Sequence, residues 1–415
     1  MPPGHRIAEA RVLGPVASAN GRRASESARR RPVGAGHVTF ELSQEQRQTR
    51  DVCRAFAEQR LVPNARRWDT EKVFPADALK SLGELGLMGV TVPAEWGGAG
   101  MDTVTFVVAM EEISRGCAST AATVGVNKLY CDVVLNHGTD EQRQGYLLPF
   151  ARGERLGAFA LTEPQSGSDA ADVRVTATIR GSEYVLNGTK SFITNGPRAD
   201  AVVVFTSTDR AKGSRGITAF LVPTDTPGLS RGRLDDKVGL QASPSCQLSF
   251  EECRVSRLSR LGEEGEGFKI AMSALDGGRI GIGAQAVGIA RAACEKAIAY
   301  AKDRQAFGKP IAQHQAISFM LADMATEIEA ARLLVWRAAS LKDRGAPFGT
   351  EAAMAKLYAS EMAERVTSKA IQILGGFGYM KEGDVERHWR DSRVAQIYEG
   401  TSEIQRVVIS KALLK

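Results

Sequence analysis

Apolar positions recur at helical spacing in both end regions of the chain and at a spacing of two in its middle. Ser43-Gln44-Glu45-Gln46 has the form of a capping box and opens a predicted helix carrying Val52, Phe56 and Ala57 to Leu61-Val62-Pro63. Phe74-Pro75 starts a second, with Leu79, Leu82 and Leu85 on one side and Gly86 at its end. Further helices are expected through Phe106 to Ile113, through the Ala118 to Asn136 region, and over Asp140 to Phe150. At Leu156 the texture changes. Val173 to Ile179 alternates with period two, Tyr184-Val185-Leu186 meets the hairpin signal Asn187-Gly188, and short β-rich runs follow at Ala201 to Phe205, Gly216 to Val222 and Gln247 to Phe250.

From Ser273 the helical period returns. Ile280, Ala284, Val287, Ala290, Ala293 and Ala297 mark one face, with Gly281, Gly283 and Gly288 small enough for close helix contacts. A second stripe runs from Ile317 to Leu341 and is stopped by Gly345 and Pro347. A third runs from Glu351 to Leu374 and stops at Gly375-Gly376. With a tail helix at Ile404, Val407 and Val408, these make a helical bundle. The expected division is a tail over 1–38, an all-α domain over 39–155, a β domain over 156–272 and the bundle over 273–415, an α+β protein in α-β-α order.

Composition changes this picture at one point. The net charge is +6, but the first 37 residues carry seven arginines against Glu9 and Glu26, and the remainder is close to neutral. The basic balance therefore gives no support for nucleic-acid binding by the folded body. Rich in Gly, Ala, Ser, Pro and Arg, the tail is expected to be disordered. It reads as an organelle presequence or as an upstream extension without structural role; its scattered Pro and Gly argue against a presequence helix. Six cysteines without a CxxC pair indicate free thiols in a reducing compartment. The five histidines form no metal-binding pattern, and no apolar run approaches a membrane span.

The candidate chemistry lies in loops. Ala395 to Gln405 places Glu399 in a short turn before the tail helix, with Gly400 permitting close approach of a ligand. Thr401 or Ser402 can cap that helix, whose free N–H groups suit a pyrophosphate. Phe159 to Asp169 offers hydroxyls and main-chain N–H groups to a polar ligand, and Phe192 to Gly196 adds an aromatic able to stack on a planar ring. Arg304 suits phosphate, and Gln372 to Gly376 puts glycines where backbone could touch a ligand. Ala94 to Gly100 is a glycine-rich loop without the GKS/T of a P-loop. Taken singly, each of these is more often an ordinary turn.

Together, in this order, LTEPQSGSD, FITNG, DGGRIGIGAQAVGIA, RQAFGKPIAQHQ, QILGGFGY and IYEGTSEIQ resemble the acyl-CoA dehydrogenase family, closest to its short-chain (butyryl-CoA) branch, from about Phe40 to the end. The resemblance implies an N-terminal helical domain, a central β-barrel or sandwich and a C-terminal four-helix bundle, with FAD between the last two. It implies that Phe159, Leu161, Thr162, Gly167 and Ser168, with Phe192, Ile193 and Thr194, line the isoalloxazine; Phe192 stands where many members have Trp. By the same resemblance Arg304, Gln315 and Gln372, Leu374, Gly375 and Gly376 reach the FAD held mainly by an adjacent subunit, with Phe307 also on the cofactor. Thr401 to Glu403, with Thr401 and Glu403 as named contacts, hold pyrophosphate. Ser168, Asp276, Arg279 and Gly400 meet acyl-CoA.

Glu399 is then the base for the α-proton, opposite a flavin that accepts the β-hydride; family branches with the base on a bundle helix carry it at the position of Gly278. The resemblance further implies a homotetramer, electron transfer to electron-transfer flavoprotein, and residence in a bacterial cytoplasm or a mitochondrial matrix. A 2-methyl-branched substrate, an oxygen-reactive member (an oxidase or a flavin monooxygenase) and a non-catalytic scaffold are the competing readings; Glu399 weighs against a monooxygenase, which needs no α-proton base, and Glu399 with the intact flavin motifs weighs against a scaffold.

Overall fold

Ser43 opens the first helix as its pattern predicts. In the computed structural model, which describes residues 41–415, its hydroxyl accepts from Gln46 N and the Gln46 side chain accepts from Ser43 N. The Arg-rich tail lies outside the described residues. Helix α1 (Gln44–Phe56) does not stop at Pro63. It widens into a π-helical stretch, Ala57–Leu61, and continues as α2 (Val62–Glu71). Pro63 follows the π-helical stretch directly, and the widened turn there, with Val62 N donating to Ala57 O, lets the helix run on past it.

Helices α3 (Ala76–Glu84), α4 (Thr103–Gly116), α5 (Ala118–His137), α6 (Asp140–Tyr146) and α7 (Leu148–Ala151) complete the N-terminal part. Leu79 and Leu82 are buried as expected, whereas Val52 and Leu85 are exposed. The single helix expected over Asp140 to Phe150 is interrupted at Leu147, just ahead of Pro149.

The middle part contributes β1 (Gly157–Ala160), β2 (Thr176–Arg180), β3 (Glu183–Thr194), β4 (Ala201–Ser207), β5 (Ile217–Pro223), β6 (Leu229–Leu234), β7 (Ser245–Ser256) and β8 (Arg260–Leu261). They form one mixed sheet in the order β6-β7-β3-β2-β4-β5-β8, with β1 parallel to β4. Val202 and Val204 of β4 join Leu186, Leu248 and Phe250 in the core on one face. Ala201, Val203 and Phe205 pack on the other face with Tyr130 of α5 and with Ile270. That two-sided burial explains why β4 is an unbroken apolar run.

Asn187-Gly188 is not a hairpin. The turn between β2 and β3 is at Gly181-Ser182, with Gly181 at φ 63°, and Asn187-Gly188 lies inside β3 at a register shift against β7. Gly188 has φ 133°, and a Cβ there would stand 3.0 Å from Val175 Cα. Glycine serves a bulge and a close strand approach here rather than a turn.

Helix α8 (Gly267–Asp303) begins ahead of Ser273, so a division at 272/273 falls within it. Its first turns pack on the sheet, where Gly267 would collide with Ile217 and Thr218 if it carried a Cβ. Beyond it come the short strands β9 (Gln305–Ala306) and β10 (Lys309–Pro310), then α9 (Gln315–Asp343), α10 (Gly349–Leu374), α11 (Val385–Arg393) and α12 (Ser402–Leu413). The stripe Ile280 to Ala297 of α8 is buried throughout. Its glycines do what the pattern implied. A Cβ on Gly283 would press on Val335 at 2.8 Å, and one on Gly288 would lie 2.8 Å from Ser114 Cβ. In α12, by contrast, the buried residues are Ser402 and Gln405, and Val407 is exposed. All six cysteines are free and buried, and burial pushes their thiols up. No described helix is long and apolar enough to cross a membrane, and the described residues hold no metal-binding group of His, Cys, Asp and Glu.

Candidate active site

The turn between α11 and α12 has two consecutive residues in the left-handed region, Glu399 at φ 50° and Gly400 at φ 90°. Gly400 takes this conformation without strain; a glutamate does so only where its surroundings hold it. They do. Lys356 Nζ, fully buried on α10, donates to Gly400 O at 2.6 Å, and Gln405 Nε2 donates to the same oxygen at 2.8 Å. Thr401 caps α12, its hydroxyl accepting from Ile404 N at 3.3 Å. The Ser402 hydroxyl beside it is buried without a hydrogen-bond partner.

Glu399 faces a cleft of about 190 Å³. Phe159 on β1, Leu161 and Thr162 just after it, and Gly167 and Ser168 in the next loop line one part. Phe192, Ile193 and Thr194 at the end of β3 line another, with Arg279 of α8, Glu399 and Gly400 completing it. A second register shift against β7, between Lys190 and Ile193, turns Phe192 outward at φ 60° and leaves it 71% exposed at the cleft.

Two buried ties fix these loops. Lys190 Nζ donates to Leu161 O at 2.9 Å and pairs with Glu163 Oε1 at 2.7 Å, while Glu163 accepts from Arg174 N and Val175 N. Asn195 Nδ2 donates to Thr123 O and Gly157 O, both at 3.1 Å, joining the end of β3 to α5 and β1.

Burial pushes the Glu399 carboxyl up to about 7, against the opposing pull of Lys356, Arg279 and Lys128. Its Oε2 is buried and has no hydrogen-bond partner among the described residues. Arg279 is buried and pairs with Asp276, whose carboxyl burial holds above its usual range; Asp276 itself does not line the cleft.

The remaining expected cofactor residues lie elsewhere. Arg304, Phe307, Gln315, Gln372, Gly375 and Gly376 are exposed around the C-terminal end of α8, and Phe307 is 95% exposed. Tyr300 stacks on Phe377 at 5.8 Å, which ties that end of α8 to the Gly375–Tyr379 turn. A Cβ built on Gly375 or Gly376 would meet only open space. Leu374 differs: its side chain is in the core, so it can offer a ligand only backbone. The glycine-rich loop Ala94 to Gly100 lines neither cavity described here.

A second cavity, of about 60 Å³, also opens on Glu399 and Tyr398. Phe106 and Met110 of α4, Leu129 of α5, and Gly278, Ile282 and Gln285 of α8 are among its walls. Sequence reasoning assigned no role to most of these, nor to Lys356 or Tyr398. Lys356 left one signal: it breaks the small apolar stripe Ala352, Ala355, Ala359 of α10. Tyr398, whose hydroxyl bonds Gln285 Oε1, sits inside the motif that drew attention to Glu399.

The cleft fits the expected FAD. Two phenyl rings and the hydroxyls of Thr162, Ser168 and Thr194 suit a flat ring with polar edges, and the unpartnered hydroxyl of Ser402 lies at the first turn of α12, whose N–H groups suit phosphate.

Comparison with known proteins agrees with this arrangement. Residues 43–154, 158–253 and 265–414 match, in turn, the N-terminal, middle and C-terminal domains of acyl-CoA dehydrogenase. The chain is 54% identical over 380 residues to the mitochondrial short-chain specific acyl-CoA dehydrogenase of Bos taurus, covering 91% of this chain and 92% of that one. It superposes on butyryl-CoA dehydrogenase from Megasphaera elsdenii with TM-score 0.90 and 43% identity, covering 91% of this chain and all of the other. A glutaryl-CoA dehydrogenase from Mycobacterium smegmatis, solved in complex with FADH2, gives TM-score 0.86 at 33% identity, with 90% and 95% covered. Matched in order through all three parts, the chain belongs to the acyl-CoA dehydrogenase family of FAD-binding oxidoreductases.

Proposed function

We propose that this protein catalyses the FAD-dependent α,β-dehydrogenation of short-chain acyl-CoA thioesters to trans-2-enoyl-CoA, with Glu399 as the base, and passes its electrons to electron-transfer flavoprotein. The observation that carries the reading is the Glu399 carboxylate. It is unpartnered at Oε2, stands at the wall shared by the two cavities, and is pushed up to about 7. A base of that strength is matched to removing an α-proton near neutral pH.

FAD, when bound, supplies the acceptor for the β-hydride. The protein's part is to hold and to exclude. Phe159, Leu161, Thr162, Gly167, Ser168, Phe192, Ile193 and Thr194 would hold the ring, and the first turn of α12, from Thr401 to Glu403, would take the pyrophosphate. Ser168, Arg279 and Gly400 are at hand for the thioester, with Asp276 orienting Arg279 through their ion pair. The Glu399 backbone N–H is the donor proposed for the thioester carbonyl, which makes the α-proton acidic enough to leave.

The small second cavity, walled by Phe106, Met110 and Ile282, supports a short acyl chain. A homotetramer is part of the same proposal. Arg304 lies 25 positions along the chain from Arg279, about 37 Å at the helical rise, so the exposed group around it serves a cofactor in a neighbouring copy more readily than its own.

The test is anaerobic mixing of the yellow holoenzyme with butyryl-CoA, followed by a chain-length and branching series with a dye acceptor. Bleaching by butyryl-CoA is expected, with turnover falling as the chain lengthens. A flavin that stays oxidised would overturn the reading.

A further inference from the structure

We infer that Lys356 is a positioning residue for the reaction: its buried ammonium holds the Glu399–Gly400 turn and fixes the charge that the base meets. The inference rests on Glu399 being the base. Lys356 is fully buried on α10, yet among the described residues it makes no ion pair within 4.0 Å. Its hydrogen bond goes instead to the neutral Gly400 carbonyl, at 2.6 Å. The contrast with Lys190 is informative. That lysine is equally buried, but its charge is matched directly by Glu163 at 2.7 Å.

Burying an ammonium on a neutral acceptor, with no ion pair, is costly. Here the ammonium has two uses. The turn it holds contains a glutamate in the left-handed region, and Gly400 O is fixed from two sides, by Lys356 and by Gln405. The charge also acts on Glu399. After burial, Lys356 is the largest influence on that carboxyl, ahead of Arg279 and Lys128, and it pulls against the desolvation. The influence is mutual. Burial lowers Lys356 to about 8, Glu399, Glu403 and Glu361 hold it up, and Arg279 pushes it down. Lys356 therefore keeps Glu399 from becoming too weak an acid to be ionised, and it does so only while it carries its own proton.

Lys356→Met and Lys356→Arg, compared with wild type and Glu399→Gln as FAD-loaded proteins, test this. The readouts are the pH dependence of single-turnover flavin reduction by butyryl-CoA and infrared titration of the carboxyl band that Glu399→Gln removes. Lys356→Met is expected to keep its FAD and to lose about 10- to 100-fold in kcat with little change in KM. Its acid limb, and the Glu399 band, should move to higher pH. Wild type should lose activity as pH rises through about 8, and Lys356→Arg, whose charge does not titrate, should lose that alkaline limb.

An unchanged Glu399 titration in Lys356→Met, even with lowered thermal stability, would overturn the inference and leave a structural role. If Lys356→Met does not fold, an alkaline limb retained in Lys356→Arg would overturn it equally. The infrared titration needs no turnover, so it still decides the role of Lys356 if Glu399→Gln proves active and the base lies elsewhere.

Discussion

Gly278 of α8 and Glu399 of the α11–α12 turn compete for one volume: a Cβ on residue 278 would collide with Glu399 Oε2 and lie 3.0 Å from its Cδ and from a Leu129 methyl. Position 278 is where the resemblance puts the base in other branches of the family. That position and the proposed base Glu399, far apart in sequence, thus converge on the same place, and in this chain the glycine at one makes room for the carboxylate at the other.

Gly278→Ala should therefore impair chemistry through Glu399. The added methyl has to move a carboxylate whose position sets its reach to the α-proton, and a misplacement of about 1 Å can cost on the order of 10²-fold in rate. FAD content should be unchanged, because Gly278 does not line the larger cleft. Stopped-flow flavin reduction checks it; a wild-type rate would show that the carboxylate has slack.

Glu399→Gln should stop chemistry and spare binding. Loss of a general base typically costs about 10²–10⁴-fold, and the upper end is expected here because bound acyl-CoA should exclude bulk water from the α-carbon. Acyl-CoA should still perturb the flavin spectrum without bleaching it. Bleaching at near the wild-type rate would mean that another group takes the α-proton.

The same variant carries a stability signature with a definite sign. The folded-state pKa of Glu399, about 7, lies above its ordinary value of 4.5. Between those values the folded protein holds a proton that the unfolded chain has released, so stability falls as pH rises through the window and stays reduced above it. Glu399→Gln should thus gain thermal stability over wild type above pH 7, relative to their difference at pH 4. Melting curves across pH measure it, and a gap independent of pH would contradict the burial assigned to this carboxyl.

Lys190→Met should loosen the cofactor loop. It leaves Glu163 as an unpaired buried carboxylate, a change that typically costs about 3–5 kcal/mol. Leu161 and Thr162, whose segment Lys190 ties to β3, line the cleft. Lower stability to denaturant and faster FAD loss on dilution are expected. Unaltered FAD retention would show that the loop is held by other contacts.

Light scattering should return four copies per particle. Phe307→Asp, at a ring 95% exposed on the single chain, should lower both particle mass and FAD affinity. A monomer with full FAD affinity would refute the shared site.

Much of this was legible along the chain, because caps, periods and glycine stops are local. The capping box at Ser43, the α8 stripe from Ile280 to Ala297 and the end of α10 at Gly375 each follow from a few neighbouring residues. The motif resemblance carried the family for the same reason. Asn187-Gly188 shows where local signals fail: the same dipeptide suits a tight turn or a bulge, and the pairing of β3 with β7 chose the bulge. The relations around Glu399 were out of reach of any local reading. Whether a carboxylate in a turn is solvated or raised to about 7 depends on what α5, α8 and α10 bring against it. Gly278 and Lys356 both reach the Glu399–Gly400 turn only because α8 and α10 pack together beneath it. Burial and charge proximity are properties of that packing, and they turn an ordinary glutamate into a candidate base.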